Sequence, residues 1–518
     1  MKRSALSMWL LVGCALALVV GCREAPAPSP LPSPPATAWP GPDVTRFPSP
    51  AAAPSWTPTL PPKATPVVVP TTSVDQVVVR ETEISVSGYV YEPYLKEGFD
   101  QERGVPYLWL DRSAYGQPSS QDTVLRSFKA VVLENRYLRL TILPELGGRL
   151  YECVFKPTGQ NIFYRNQVLK PTPWGPLSRE LNWWLAAGGM EWAFPVSEHG
   201  YGWGVPWSYS IELSGGQTKV VLRDTAEARL RASVEIGLAP GSAYFTVRPQ
   251  LENPTSAEIS YQFWTDALLT LGSASTSPNT DLAYPAESIL IHSTGPESGL
   301  PEERSVISWP TWQGRDLSWY GNWEDWLGFF VPEPEYSFVG AYNHDTDLGV
   351  VRAFSKEEAP GVKLFGWGIG SPFAAEYTDD GSQYFEIWGG PNRTFWPEDD
   401  IVLRPGQRSA WTECWYAFQG IGGLDFANRE AAISLRHAGG SIQVGLASSS
   451  SREGTLLLEL GGGEIYRKQI TVSPESPHVG AVPLPVEFTG ETLVSCHFLD
   501  LTGQVIAGYD VPLGALGD

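Results

Sequence analysis

Cysteine is scarce in this chain, with five in 518 residues. Two lie in the N-terminal run, which leaves Cys153, Cys414 and Cys496 for any folded part. Their odd number and wide spacing exclude a zinc-site pattern, and a core of this size needs no disulfide staples. Buried free thiols are expected, with pairing of Cys153 and Cys414 in an oxidising compartment as the alternative. Positive charge is also short: 36 Lys and Arg stand against 57 Asp and Glu, a net charge of −21. Such a chain has no basic footprint for nucleic acid or for anionic headgroups, so no nucleic-acid partner is expected. The acidity is spread rather than blocked, which fits solubility outside the cell. Helical periodicity is nearly absent. No nucleophile elbow, phosphate-binding glycine loop or zinc-ligand spacing occurs, so neither a cofactor nor a metal is expected.

What is present begins with a targeting pattern. Lys2 and Arg3 precede an apolar run from Ala5 to Val20, the charge-then-hydrophobe layout of a secretory signal. The run ends in Val19-Val20-Gly21-Cys22, which resembles the lipobox of bacterial lipoproteins. That resemblance implies a signal peptide over 1–21, lipidation of Cys22, and an extracytoplasmic protein anchored to the membrane at the cell envelope. A short uncleaved anchor is the other reading. Residues 22–73 read as a tether, with sixteen prolines between Ala25 and Ser73 and no hydrophobic period. In extended polyproline form it reaches roughly 150 Å from the membrane.

Beyond the tether, short alternating runs separated by Gly, Pro, Asn and Asp recur every ~10 residues, which predicts an all-β protein. Two domains are expected, 74–423 and 424–518. Tryptophan marks the border: seventeen of 21 lie between Trp174 and Trp415, and none follows. The later segment carries short strands at the spacing of a seven-stranded immunoglobulin-like sandwich and no candidate chemistry, so it reads as a spacer or interaction module.

The stretch ENRYLRLTILPELGGRLYECVFKPTGQNIFYRN joins an alternating strand, a Leu-Gly-Gly-Arg turn and a second strand. With AAGGMEWAFPVSEHG, FVGAYNHDTDLGVVRAF, KLFGWGIG and YTDDGSQYFEIWGGP following in order, it is similar to galactose-mutarotase-like domains. The resemblance is closest to the bacterial family called domain of unknown function 5107, over about residues 120 to 423. It implies a large antiparallel β-supersandwich.

The candidate site residues follow from local chemistry. A flat indole stacks on the C–H face of a sugar and its N–H reaches a hydroxyl. The cluster Trp183, Trp184, Trp192, Trp203 and Trp207 brackets the Gly-Gly-Met-Glu loop, and Trp309, Trp312, Trp319, Trp323 and Trp326 form a second. Core filling is the competing use of both. Glu191 lies among apolar and aromatic neighbours, where desolvation would raise its pKa as a general acid needs. Glu386 alternates with Phe385 and Ile387 and so faces opposite to both. Its spacing to Pro391 is similar to the strand on which aldose epimerases carry a general-base glutamate. His199, in a glycine-rich loop, suits proton shuttling or a sugar hydroxyl. Arg149 is a partner for a substrate oxygen or for Glu191. The epimerase histidine strand has its nearest counterpart in YQFWTDALLTLG, which offers Asp266 and no histidine, and this argues against simple mutarotation. His344, Asp345 and Asp347 read as hairpin-turn chemistry rather than a metal site.

Three readings remain. One is an enzyme, a glycoside hydrolase or an epimerase-like protein, with Glu191 and Glu386 as an acid/base pair at the anomeric centre of an oligo- or polysaccharide. The second is a non-catalytic glycan-binding lipoprotein. The third is an envelope-assembly scaffold, since fold does not fix function.

Overall fold

In the strand Phe385–Gly390, Phe385 and Ile387 enter a shared core while Glu386 and Trp388 point the other way. That alternation, repeated strand after strand, builds two large sheets. The computed structural model describes residues 76–116, 122–175, 182–196, 198–224, 229–484 and 489–517. The expected signal peptide, Cys22 and the whole of the expected tether lie outside the described residues. Among the described residues no helix is long and apolar enough to cross a membrane.

The larger sheet has 14 strands. Its centre runs in spatial order Leu327–Phe330, Gly361–Gly366, Phe385–Gly390, Trp264–Leu269, Met190–Ala193, Arg149–Phe155 and Leu138–Leu143. The strand Val78–Tyr89 pairs along its full length with Thr123–Glu134, which adds it to this sheet. The facing sheet has nine strands, among them Arg231–Leu238, Tyr244–Glu252, Glu413–Gln419 and Leu348–Ala353. Between the two lies one apolar core that includes Leu140, Leu150, Met190, Trp192, Val234, Phe245, Ile387 and Trp415. The architecture is the all-β supersandwich that the motif order implies.

The last 90 or so residues form two four-stranded sheets around Ile433, Val444, Leu458, Cys496 and Phe498, an immunoglobulin-like sandwich. Among the described residues it has eight strands rather than seven, because a two-residue strand, Phe426–Ala427, is added at the entry. The small sandwich packs on the outer face of the nine-stranded sheet through Ala432 and Ala447 against Phe418 and Tyr416. Cys153, Cys414 and Cys496 are all free and buried, and burial raises each thiol above its ordinary range. Residues His344 to Asp347 form the turn between Phe338–Asn343 and Leu348–Ala353. There Asp345 accepts from Ser277 and Asn279, as turn residues do.

Candidate functional site

Antiparallel register draws one row of polar side chains across the large sheet. Glu191 opposes Asp266, Asp266 opposes Trp388, and Trp388 opposes Lys363. Met190 opposes Leu150, which brings Arg149 beside Glu191. Glu386 lies two residues before Trp388 and opposes Phe365. Because successive side chains alternate between faces, all of these point away from the inter-sheet core. The entry into the Glu191 strand depends on Gly188 and Gly189, at φ 86° and 77°. A Cβ on Gly189 would stand 2.6 Å from the Leu150 carbonyl oxygen, so only glycine fits there.

Above this face is a cavity of about 1110 Å³, walled by Trp174, Trp184, His199, His292, Trp326, Lys363, Trp367, Tyr384, Glu386 and Trp388. The hairpin Leu95–Asp100 and Val105–Leu110 contributes Phe99, Asp100 and Arg103 to its rim. Tyr201 donates to Asp100 Oδ2 at 3.0 Å, which ties that hairpin to the loop carrying His199.

Glu191 lies behind His199 and its oxygens are fully used. Oε1 accepts from Trp184 Nε1 at 3.0 Å and lies 2.6 Å from His199 Nδ1, while Oε2 is paired with Arg149. Burial pushes this carboxyl up, yet the Arg149 charge and the His199 contact outweigh it and hold its pKa below the ordinary value. The expectation of a raised pKa is therefore corrected: a fully buried guanidinium, 0% exposed, is the neighbour that decides. An ionised Glu191 can only accept, so the proton in its contact with His199 sits on Nδ1. The imidazole stacks on Trp184, with centroids 4.1 Å apart, which fixes its plane.

Asp266 is the opposite case. Both its oxygens are buried with no hydrogen-bond partner among the described residues. Burial, with Glu386 and Glu191 adding repulsion, raises its pKa well above the carboxylate range. Burial likewise raises Glu386, against the pull of Lys363 and His199 and of a hydrogen bond from Trp388 Nε1 at 2.9 Å. Asp266 and Glu386 thus hold their protons to higher pH than ordinary carboxyls, and Glu191 gives its proton up at lower pH. Glu191, His199 and Asp266 offer three atoms within 4.8 Å of one another. A divalent cation does not suit them, because Arg149 and Trp184 already saturate Glu191.

The structure brings together Arg149, Glu191, His199, Asp266, Glu386 and Trp184. It does not bring the other tryptophans. Trp192 faces the inter-sheet core and donates to Gly148 O. Trp183 donates to Leu108 O and packs with Trp203 in the layer beneath the hairpin. These three are core filler, because alternation or loop packing turns them from the cavity. Trp207, Trp309 and Trp323 are also core. Of the second cluster only Trp326 reaches the cavity. Sequence reasoning missed Lys363, Glu198, His292 and Trp388. Lys363 carried a local signal, a lone charge between Val362 and Leu364 in an apolar strand.

The family described as Domain of unknown function (DUF5107) matches residues 107–418. The chain belongs to that family. Every residue of the polar row falls inside the DUF5107 match. A second match, to the YphG-like protein, second domain, covers 426–509. Among solved structures, the chain is similar to a TPR-domain containing protein from Parabacteroides distasonis. Identity is 25% over 66% of this chain and 55% of that one, with a TM-score of 0.55. The chain thus spans about half the length of that relative. It is also similar to a galactose mutarotase-like protein from Clostridium acetobutylicum, at 12% identity over 57% of this chain and 96% of that, TM-score 0.37. A putative aldose 1-epimerase from Klebsiella pneumoniae matches at 13% over 65% and 91%, TM-score 0.39.

Proposed function

We propose that the cavity binds a carbohydrate and that Glu386 and His199 carry out acid–base chemistry at its anomeric centre. One observation carries this reading. A buried carboxyl whose pKa is raised by burial shares an aromatic cavity wall with an imidazole whose Nδ1 is pinned by the Glu191 carboxylate. Aromatic walls suit the C–H faces of sugar rings, and a proton donor opposite an imidazole suits proton transfer in both directions.

For glycoside cleavage, Glu386 gives its proton to the departing exocyclic oxygen as the C1–O bond breaks. His199 Nε2 takes a proton from water as the water oxygen bonds to C1. Solvent then returns one proton to Glu386 and removes one from His199. Glu191 does not touch the substrate in this scheme; it is a positioning residue that holds the imidazole, in the manner of a carboxylate–histidine pair. The Glu191–Glu386 acid/base pair expected from the sequence is replaced, because both oxygens of Glu191 are occupied. Lipidation at Cys22 would present the cavity outside the membrane.

The saturation of Glu191 also favours the alternative of a non-catalytic glycan binder. The full-length protein is screened against an array of neutral and acidic oligosaccharides, and reducing ends are assayed on those it binds. Binding with turnover, and loss of turnover by roughly 10²–10⁴-fold in Glu386→Gln with binding kept, is the expected result. Binding without turnover leaves the binder. No binding to any glycan removes the carbohydrate reading.

A further inference from the structure

One corner of the cavity takes no part in that scheme. Glu198, His292 and Lys363 all line it. Glu198 stands at φ 58°, in the left-handed region that a non-glycine residue seldom adopts. Conformations of this kind cluster at ligand-binding and active sites. Its Oε1 lies 3.5 Å from His292 Nε2, and its Oε2 is buried with no hydrogen-bond partner among the described residues. Lys363 is only 3% exposed. Its ammonium makes no ion pair or hydrogen bond among the described residues and rests over Trp388 at 4.3 Å and Phe395 at 4.9 Å. The His292 ring packs on the same Phe395, with centroids 5.2 Å apart. Phe395 therefore carries both the Lys363 ammonium and the His292 ring that contacts Glu198, whose Oε2 is an orphaned acceptor.

A buried donor or acceptor left unmade is costly, so Lys363 and Glu198 point to a ligand group that answers both. An anion would satisfy Lys363 and be repelled by Glu198, which His292 and Lys363 help to hold ionised against burial. A cation would satisfy Glu198 and be repelled by Lys363. A hydroxyl accepts from one and donates to the other with no net charge.

Resting on the carbohydrate reading above, we propose that Lys363 and Glu198 read one hydroxyl of a neutral sugar, which accepts from Lys363 Nζ and donates to Glu198 Oε2. His292 positions Glu198. The site then discriminates among neutral sugars by the presence of that hydroxyl, and it disfavours the uronate and amino counterparts at the same position.

The test uses the neutral oligosaccharide that binds most tightly to the full-length protein. It is compared by calorimetry with analogues deoxygenated at each ring position in turn, and with its uronate and amino forms. On wild-type protein, one deoxy analogue is expected to lose at least about tenfold in affinity, while the others lose little. Lys363→Met and Glu198→Gln are expected to lose about tenfold or more on the parent sugar and to show no further loss on that one analogue. Equal losses for all deoxy analogues, parent affinity unchanged in both variants, or tighter binding of the uronate or amino form would each overturn the proposal. The wild-type deoxy series stands even if a variant fails to fold. If no neutral or charged glycan binds at all, the carbohydrate reading itself has failed, a different result from a glycan that binds without this selectivity.

Discussion

Two buried arginine–glutamate pairs lie on opposite sides of the large sheet, and they differ in what surrounds them. Arg352 meets Glu413 through two parallel hydrogen bonds, Nε to Oε2 and Nη2 to Oε1, each 3.0 Å. Trp411, Trp415 and Thr265 donate to the same carboxylate, and Arg352 Nη1 reaches the Gly361 carbonyl. Both side chains are 0% exposed, and neither lines the cavity. Arg149 and Glu191 are paired as tightly, yet next to them stand His199, which faces the cavity, and Asp266, with two unpartnered oxygens. A buried ion pair is therefore no sign of a site. The sign is a saturated pair whose neighbour is half used and faces a void.

The largest effect that separates the two pairs is on stability. Arg352→Met strands the Glu413 charge between the sheets and should cost about 3–5 kcal/mol in urea denaturation. Arg352→Met with Glu413→Leu should recover most of that loss, and glycan affinity per folded molecule should not move. A double variant no more stable than the single would mean the pair does more than satisfy itself.

At the cavity the same kind of change should act on rate. Glu191→Gln keeps an acceptor for Trp184 but loses the charge that orients His199, so kcat should fall about 10–100-fold with KM nearly constant. The variant should also lose part of the acid limb of stability. Glu191 has a lowered folded pKa, so its contribution is present above its unfolded value and lost as pH falls through the lowered one. A KM change as large as the kcat change would place Glu191 against the substrate instead. Glu386 has the reverse sign: its raised pKa favours the fold at low pH, and that share is lost as pH rises through the raised value. The stability of Glu386→Gln relative to wild type should therefore increase with pH, and catalysis that needs the protonated acid should decline over the same range.

The smallest effect lies at the junction with the small sandwich. Burial pushes Asp281 up to about 7 against the attraction of Arg436, which approaches to 3.6 Å. Its stabilising share is present below the unfolded value and is lost as pH rises through about 7. Asp281→Asn should thus gain on wild type between pH 4 and 7. Thermal denaturation at both pH values measures it, and a gain confined to acid would have the wrong sign.

The fold was largely legible because β-structure writes a period of two into the chain. The same period made Glu386 stand out as a carboxyl in an otherwise apolar strand, while Asp266 was reached through the resemblance to the epimerase histidine strand. It also held the evidence against Trp192, which alternates with Glu191 and so belongs to the opposite face, but density of tryptophan obscured it. The hairpin over Leu95–Leu110 gave no sign that it would wall a cavity, because nothing local tells a strand what it covers. Glu198 was passed over beside His199, and only its backbone conformation and its distance to His292, 94 residues away in sequence, reveal it.

By itself the sequence determined the all-β class, the family and which side chains share a face, since all of these rest on local periodicity and motif order. Only the tertiary structure decided which carboxyl is an acid and which an anion. Charge state is set by neighbours: Arg149 comes to Glu191 from 42 residues away, whereas Asp266 has no hydrogen-bond partner among the described residues and meets the His199 ring nitrogen only at 3.7 Å. Burial and proximity of that kind are made by register between strands, and no single strand carries the information.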